Sequence, residues 1–188
     1  MQVTELCDAP HRWLVFGRDP GKPDGIIDTN QYMVIIGDRA LLMDPGGIEI
    51  FAPMLGAILH HVRVDQITDV FASHQDPDII SSLGLWDQAL PDAKLHSSGN
   101  FNIYDPRCKI LMSGDIGAAL EKGQTIMFVE DFDSYVRHMR MFHQRWIARV
   151  RKLDIEYMAP QHGRIFKGPN VQRFLDWFEA LPVGNAIA

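Results

Sequence analysis

Residues 73–83 read SHQDPDIISSL and follow directly on the apolar run ITDVFA. The run is rich in β-branched and aromatic side chains, which predicts a short buried strand. His74, Asp76 and Asp78 then occupy alternate positions, and Pro77 fixes its own backbone φ, which favours a rigid loop after the strand. Loops at strand ends often carry chemistry because a rigid framework positions them. The stretch predicts a metal-binding loop, but a solvated polar turn has the same residue types, so both interpretations stay open here.

Three further segments place a metal-ligand side chain beside a hydrophobic strand. His96 lies in LHSSGNF, just before a predicted strand, and Asp115 follows an apolar run in LMSGDIG. His162 follows a third strand in MAPQHG. Each has serine or glycine next to it, and small neighbours leave room for a metal and a substrate. Together these segments favour a metal site over a polar turn.

Strands and helices are mixed along the 188 residues, with no internal repeat, low-complexity segment or clear linker. Two strand hairpins are predicted, one turning at Gly37 and the other at residues 105–107. Helical spacing of apolar residues is clearest in residues 132–153 and in the closing segment 171–181. This mixture predicts an α/β protein in which helices cover sheet, folded as a single domain over residues 1–188.

The composition is that of an ordinary globular protein, with 46% hydrophobic and 22% charged residues and a formal net charge of -6. No basic stripe interleaved with aromatic residues is present, so we expect no nucleic-acid partner. No apolar run is long enough to span a bilayer, and the first residues lack a signal-peptide pattern. The two cysteines, Cys7 and Cys108, form no metal-ligand spacing. We therefore expect a cytoplasmic protein without a disulfide framework.

Five segments, LLMDPGG, SHQDPD, LHSSGNF, MSGDIGAAL and APQHG, occur in this order along residues 30–168. Together they resemble the metallo-β-lactamase superfamily and, within it, the flavodiiron and oxygen-binding diiron protein (ODP) branch. The resemblance implies a metallo-β-lactamase-like αββα sandwich with a two-metal site at one edge. Compared with that branch, the chain is short near residues 94–95 and 146–147, where we expect segments carried by relatives to be missing.

The resemblance also implies six metal ligands, three of them histidines and three carboxylates. The first ion would be held by His74, Asp76 and His96, the second by Asp78 and His162, and both by the bridging Asp115. Hydrolytic members of the superfamily carry an HxHxDH pattern, in which Asp76 and Ile79 of this chain would both be histidines. Because Ile79 cannot bind a metal, we expect an open or water-filled position on the second ion. The added carboxylate favours iron or manganese over zinc.

These ligands imply a non-haem diiron protein that binds, senses or reduces dioxygen, nitric oxide or a peroxide. The alternatives are a dinuclear zinc hydrolase of thioesters or phosphoesters, and a metal-free protein that acts through an interface. We expect two iron ions, with zinc or manganese as the alternative metals, and no FMN domain in this chain. Electrons for turnover would come from a separate redox partner, so both an enzyme and a sensor stay open. A homodimer is also expected.

Two side chains are predicted to support such a site without binding the metal. His143, in MFHQRW, lies beside the apolar face of the long predicted helix. It is either an ordinary core or surface histidine, or a residue that assists catalysis from just outside the metal ligands. Asp44, in MDPGG, matches no ligand position, so we expect it to hydrogen-bond the neighbouring loop and orient the site.

Overall fold

The computed structural model describes residues 1–17, 29–97, 101–122, 125–128 and 140–183. The described residues form two compact units that divide between Phe101 and Asn102. We refer to them as unit 1 and unit 2. The single domain expected from the sequence stays a prediction.

Unit 1 is built on a six-stranded sheet whose spatial order follows the chain. The strands are β1 Gln2–Cys7, β2 Arg12–Gly17, β3 Gln31–Ile36, β4 Arg39–Met43, β5 Ile67–Ala72 and β6 Lys94–Ser97. The first four run antiparallel, whereas β5 lies parallel to both β4 and β6. The predicted hairpin at Gly37 is confirmed, because β3 pairs with β4 and Gly37 takes the positive φ of 62° that a tight turn needs.

Three helices accompany this sheet. They are α1 Phe51–Ile58, α2 Pro77–Ile80 and α3 Leu83–Ala89. Met54 and Ile58 of α1 and Trp86 of α3 are fully buried and share one core with Phe16, Leu42 and other strand residues. The loop expected after β5 is partly wrong, because Pro77 begins the one-turn helix α2. Proline suits the first helical position, where its missing N–H has no partner to lose.

Unit 2 contains a four-stranded sheet of order β12-β11-β8-β7 and a two-stranded ribbon. The sheet strands are β7 Ile103–Asp105, β8 Ile110–Gly114, β11 Tyr157–Pro160 and β12 Phe166–Lys167, and the ribbon strands are β9 Ala119–Lys122 and β10 Thr125–Phe128. The antiparallel pairing of β7 with β8 confirms the second predicted hairpin. The central pair, β8 and β11, is parallel.

Two helices, α4 Arg140–Val150 and α5 Pro169–Ala180, complete unit 2. The helix predicted over residues 132–153 ends three residues early, and its part before Arg140 lies outside the described residues. The closing helix is confirmed by α5, which buries Val171, Phe174, Leu175 and Phe178. Within the described ranges, no helix combines the length and apolar character that crossing a bilayer requires.

Phe174 packs among aromatic rings in the core of unit 2. It is fully buried and stacks between Phe166 and Phe178, with ring centroids 4.9 and 5.5 Å away. We expect Phe174→Ala to lower the free energy of unfolding by about 3–5 kcal/mol, because it leaves a cavity that the neighbouring rings cannot fill. Urea unfolding measures this, and the exposed Lys152→Ala is the control. A loss below about 1 kcal/mol for Phe174→Ala would contradict the packing described here.

Candidate metal centre

Asp115 and His162 are brought together by the parallel pair at the centre of the unit 2 sheet. Gly114 at the end of β8 pairs with Pro160 at the end of β11. Parallel strands end at the same edge of a sheet, so the residues that follow them lie close together. His162 Nε2 lies 3.5 Å from Asp115 Oδ1, and the two side chains are only 15% and 12% exposed. The structure thus confirms that these two predicted ligands are neighbours.

The backbone conformation on both sides of His162 is tightly constrained. Gly163 has a φ of 77°, and a Cβ at this position would lie 2.4 Å from the carbonyl oxygen of Ala119. Only glycine fits both the positive φ and the close approach of the Ala119 backbone. The N–H of Gln161 donates to the carbonyl of Gly114 at 2.8 Å, and the N–H of Arg164 donates to Ala119 at 3.0 Å. Hydrogen bonds on both sides therefore hold His162 in place.

A second donor group forms at the end of β5 in unit 1. One ligand atom each from His74, Asp76 and Asp78 lie within 4.8 Å of one another. The His74 side chain is buried and its Nε2 lies 3.7 Å from Asp76 Oδ2, whereas the Asp76 side chain is 66% exposed. Asp78 is half-buried in the first turn of α2, and the neighbouring Ile79 is fully buried. The alternating pattern of residues 74–78 therefore produces one compact group.

The His74 ring is oriented through Ser73 by the buried Asp44. Asp44 accepts the Ser73 N–H at Oδ1, 2.7 Å away, and the Ser73 hydroxyl at Oδ2, 2.9 Å away. The Ser73 oxygen lies 2.9 Å from His74 Nδ1. Because the hydroxyl proton goes to Asp44, the Ser73 oxygen accepts the Nδ1 proton and leaves the Nε2 lone pair for a metal. The predicted hydrogen bonds of Asp44 to the neighbouring loop are confirmed.

Asp44 also affects the buried Tyr32. Burial, together with the negative charge of Asp44, raises the pKa of Tyr32 well above its ordinary value. Tyr32 therefore keeps its proton at neutral pH and adds no negative charge beside Asp44. Strand pairing supports the same arrangement, since the N–H of Asp44 donates to the carbonyl of Phe71 in β5 at 2.8 Å.

His96 is not part of the group formed by His74, Asp76 and Asp78. It lies within β6, pairs with Phe71, and is therefore three strand positions short of His74. Its Nε2 lies 2.9 Å from Oδ1 of Asp69, which is earlier still in β5, so the ring is directed away from His74. The hydrogen bond from His96 lowers the pKa of Asp69. The proposed ligand role of His96 stays a prediction that the placement of β6 does not favour.

His143 has the surroundings of a structural side chain. It is 3% exposed, its Nε2 lies 2.7 Å from the carbonyl oxygen of Phe178, and its ring meets the Phe178 ring edge-on at 4.7 Å. These contacts tie α4 to α5. Among the described residues, none of its hydrogen bonds reaches a predicted metal ligand. The geometry therefore favours the core histidine over the residue that assists catalysis.

Two supporting residues are not indicated by the sequence patterns. Ser73 precedes the first ligand and connects it to Asp44, and its position directly before His74 is the signal that could have identified it. Asn102 accepts the Trp146 indole N–H at 2.6 Å and donates to the Ser113 carbonyl at 2.7 Å, two residues before Asp115. No local pattern marks Asn102, because its two partners are 11 and 44 residues away.

The donors fit a first-row transition metal. Imidazole nitrogen together with carboxylate oxygen suits iron, manganese or zinc. Two ligand atoms that share one ion at about 2.1 Å each lie roughly 3–3.5 Å apart, and the 3.5 Å between His162 Nε2 and Asp115 Oδ1 agrees with this. Because the proton of the His74 ring is held on Nδ1, the ring presents Nε2 as a nitrogen suited to a metal.

Comparison with known proteins identifies the fold. The family model described as "ODP family beta lactamase" matches residues 27–95 and 88–163. The two matched pieces overlap over residues 88–95, which include positions 94–95, where the sequence predicts a missing segment. No curated protein sequence matches the chain.

Solved structures agree with this family match. A peroxy diiron species of the chemotaxis sensor ODP is 28% identical, with a TM-score of 0.77, over 98% of this chain and 97% of that one. The apo state of the chemotaxis sensor ODP from T. denticola is 29% identical, with a TM-score of 0.76, over 97% and 96% of the two chains. A flavoprotein from Thermotoga maritima shares the fold, at 16% identity and a TM-score of 0.70, over 94% of this chain and 60% of its own.

These neighbours confirm the predicted α/β fold of metallo-β-lactamase type. The family model spans more than half of the chain, and the residues it matches include both groups of metal-ligand side chains. The chain therefore belongs to the ODP family of beta-lactamase-like proteins.

Proposed function

We propose that this chain is a non-haem diiron protein that binds dioxygen or a related small oxidant. The observation that carries the proposal is the compact donor group of His74, Asp76 and Asp78, in which Ser73 and Asp44 prepare the ring for a metal. A diiron pair would supply reversible redox chemistry and an open position for a diatomic ligand. The structural neighbours favour this function over the zinc hydrolase, because two of them are described as a chemotaxis sensor ODP, one of these as a peroxy diiron species.

Five side chains are proposed to hold the two ions. They are His74, Asp76, Asp78, Asp115 and His162. Three carboxylates offset much of the charge of an iron pair, and hard oxygen donors stabilise the ferric state. The buried Ile79 offers no ligand atom where hydrolytic relatives have a histidine, which keeps one metal position open. The protein therefore orients the ions and leaves room for a small ligand.

A binding or sensing role agrees with the two neighbours that are described as a chemotaxis sensor. The chain covers 97% of the chemotaxis sensor chain but only 60% of the T. maritima flavoprotein chain. We propose that electrons, where turnover occurs, come from a separate redox partner. A homodimer and a cytoplasmic location remain predictions, to be tested by sedimentation and by cell fractionation.

The metal itself is the first test. Protein purified without added metal should contain about two irons per chain and show near-ultraviolet bands that bleach on reduction and return in air. Elemental analysis paired with a visible spectrum measures both properties. Two zincs and no colour would instead support the hydrolase, and an absence of any bound metal would support an interface protein.

Asp44→Asn tests the orientation of His74. An amide nitrogen cannot accept the Ser73 proton, so the tautomer of His74 is no longer fixed. We expect the affinity for iron to fall about 10–100-fold, as is typical when a group that orients a metal ligand is replaced. Competition with a chelator measures the affinity. Asp87→Asn, an exposed change in α3, is the matched control, and equal iron affinity in both variants would argue against the orienting role.

His96→Ala tests how many ligands the site uses. The His96 ring is hydrogen-bonded to Asp69 and directed away from His74. We therefore expect His96→Ala to retain both irons. His74→Ala should lose at least one iron. Asp69→Asn serves as the control for the lost ion pair, whose contribution to stability is below about 1 kcal/mol at this exposure. Loss of iron from His96→Ala, with Asp69→Asn unaffected, would restore His96 as a ligand and require β6 to move when metal binds.

A further inference from the structure

Asp115, the proposed bridging ligand, lies in a tight turn at the end of β8. The turn is closed by the Ile116 N–H, which donates to the carbonyl of Ser113 at 3.1 Å, and Gly114 takes a positive φ of 58° inside it. The Ser113 hydroxyl donates to the carbonyl of Ile116 at 2.6 Å. Ser113 therefore anchors both ends of the turn, and the direction of the Asp115 carboxylate depends on where the Ser113 carbonyl is held.

A side chain from outside the turn fixes that carbonyl. The Asn102 amide NH2 donates to the Ser113 carbonyl at 2.7 Å. The other end of the same amide accepts the indole N–H of Trp146 at 2.6 Å. Only one orientation of the amide satisfies both bonds, because a flipped amide would set donor against donor and acceptor against acceptor. Trp146 thus determines which way Asn102 points.

Trp146 is itself held firmly. It is 7% exposed and meets the Phe178 ring edge-on at 5.4 Å, with an interplanar angle of 87°. One helical turn earlier, His143 bonds the carbonyl of the same Phe178. A continuous set of contacts therefore runs from α5 through α4 to the turn that carries Asp115.

We propose that Asn102 and Trp146 are positioning residues for Asp115, acting through the Ser113 carbonyl. The inference rests on the proposed metal-binding function of Asp115. A bridging carboxylate must present both oxygens in defined directions, and hydrogen bonds to the surrounding groups supply that precision. Loss of either hydrogen bond should loosen the turn and weaken the metal site without removing a metal ligand.

Two near-isosteric variants separate this role from simple packing. Asn102→Asp keeps the shape and can still accept from Trp146, but it cannot donate to Ser113 and places a negative charge against that carbonyl. Trp146→Phe keeps most of the buried ring but lacks the N–H. The control is Val171→Ala, which removes buried volume from the same core at a position in α5 that takes no part in the hydrogen bonds of Asn102.

The first measurement is iron affinity by chelator competition, at a temperature where urea unfolding shows every variant to be folded. We expect Asn102→Asp and Trp146→Phe to bind iron about 10–100-fold more weakly than the parent, and Val171→Ala to bind it normally despite lower stability. The double variant should be about as weak as Asn102→Asp alone, because the two bonds act in series. Parent-like iron affinity in both single variants would overturn the proposal.

A second measurement follows the turn without metal. Hydrogen exchange of the Ile116 amide, compared with that of the Leu111 amide in the preceding strand β8, reports whether the turn opens locally. We expect the ratio of the Ile116 exchange rate to the Leu111 exchange rate to rise in Asn102→Asp and Trp146→Phe. The same ratio should stay at the parent value in Val171→Ala. If the parent protein binds no iron, the proposed function fails and this ratio alone decides the positioning role. An unchanged ratio in both variants would overturn it.

Discussion

Parallel strand pairing is the constraint on which the candidate site depends. Asp115 and His162 follow β8 and β11, and Asp44 and Ser73 follow β4 and β5. Parallel strands end at the same edge of a sheet, so each pair converges although its members are far apart in sequence. The hydrogen bonds of the sheet fix the strand ends, so the backbone of the residues just beyond them is also held in place. The metal-ligand side chains of both groups are therefore positioned by the strand ends of a sheet.

Each unit adds a buried polar contact that directs the donor at the strand end. In unit 1 the contact is Asp44 with Ser73, which sets the tautomer of His74. In unit 2 the contact is Asn102, which holds the turn before Asp115. Buried polar groups are costly unless their hydrogen bonds are made. Once made, these bonds restrict the side chains to one arrangement, which is what a metal site requires.

The register of β6 does not favour the predicted ligand role of His96. The segment LHSSGNF matches its family in sequence, yet β6 places His96 beside Phe71, before the end of β5. The family match is also made in two pieces that overlap at this part of the chain. The nearby Asp69 provides the ring with a partner where β6 places it.

The sequence by itself determined the α/β class, both hairpins, the closing helix and the HxDxD group. These features depend on local patterns: alternation of apolar residues, turn residues and the spacing of ligands within one short loop. The family resemblance implied that Asp115 and His162 share a metal site, and the 3.5 Å between them agrees with this. Tertiary structure alone decided the hydrogen-bond partners of Asn102 and His96 and the core position of His143. Each of these depends on contacts between residues distant in the chain, and such contacts are set by strand register and helix packing, which no local pattern encodes.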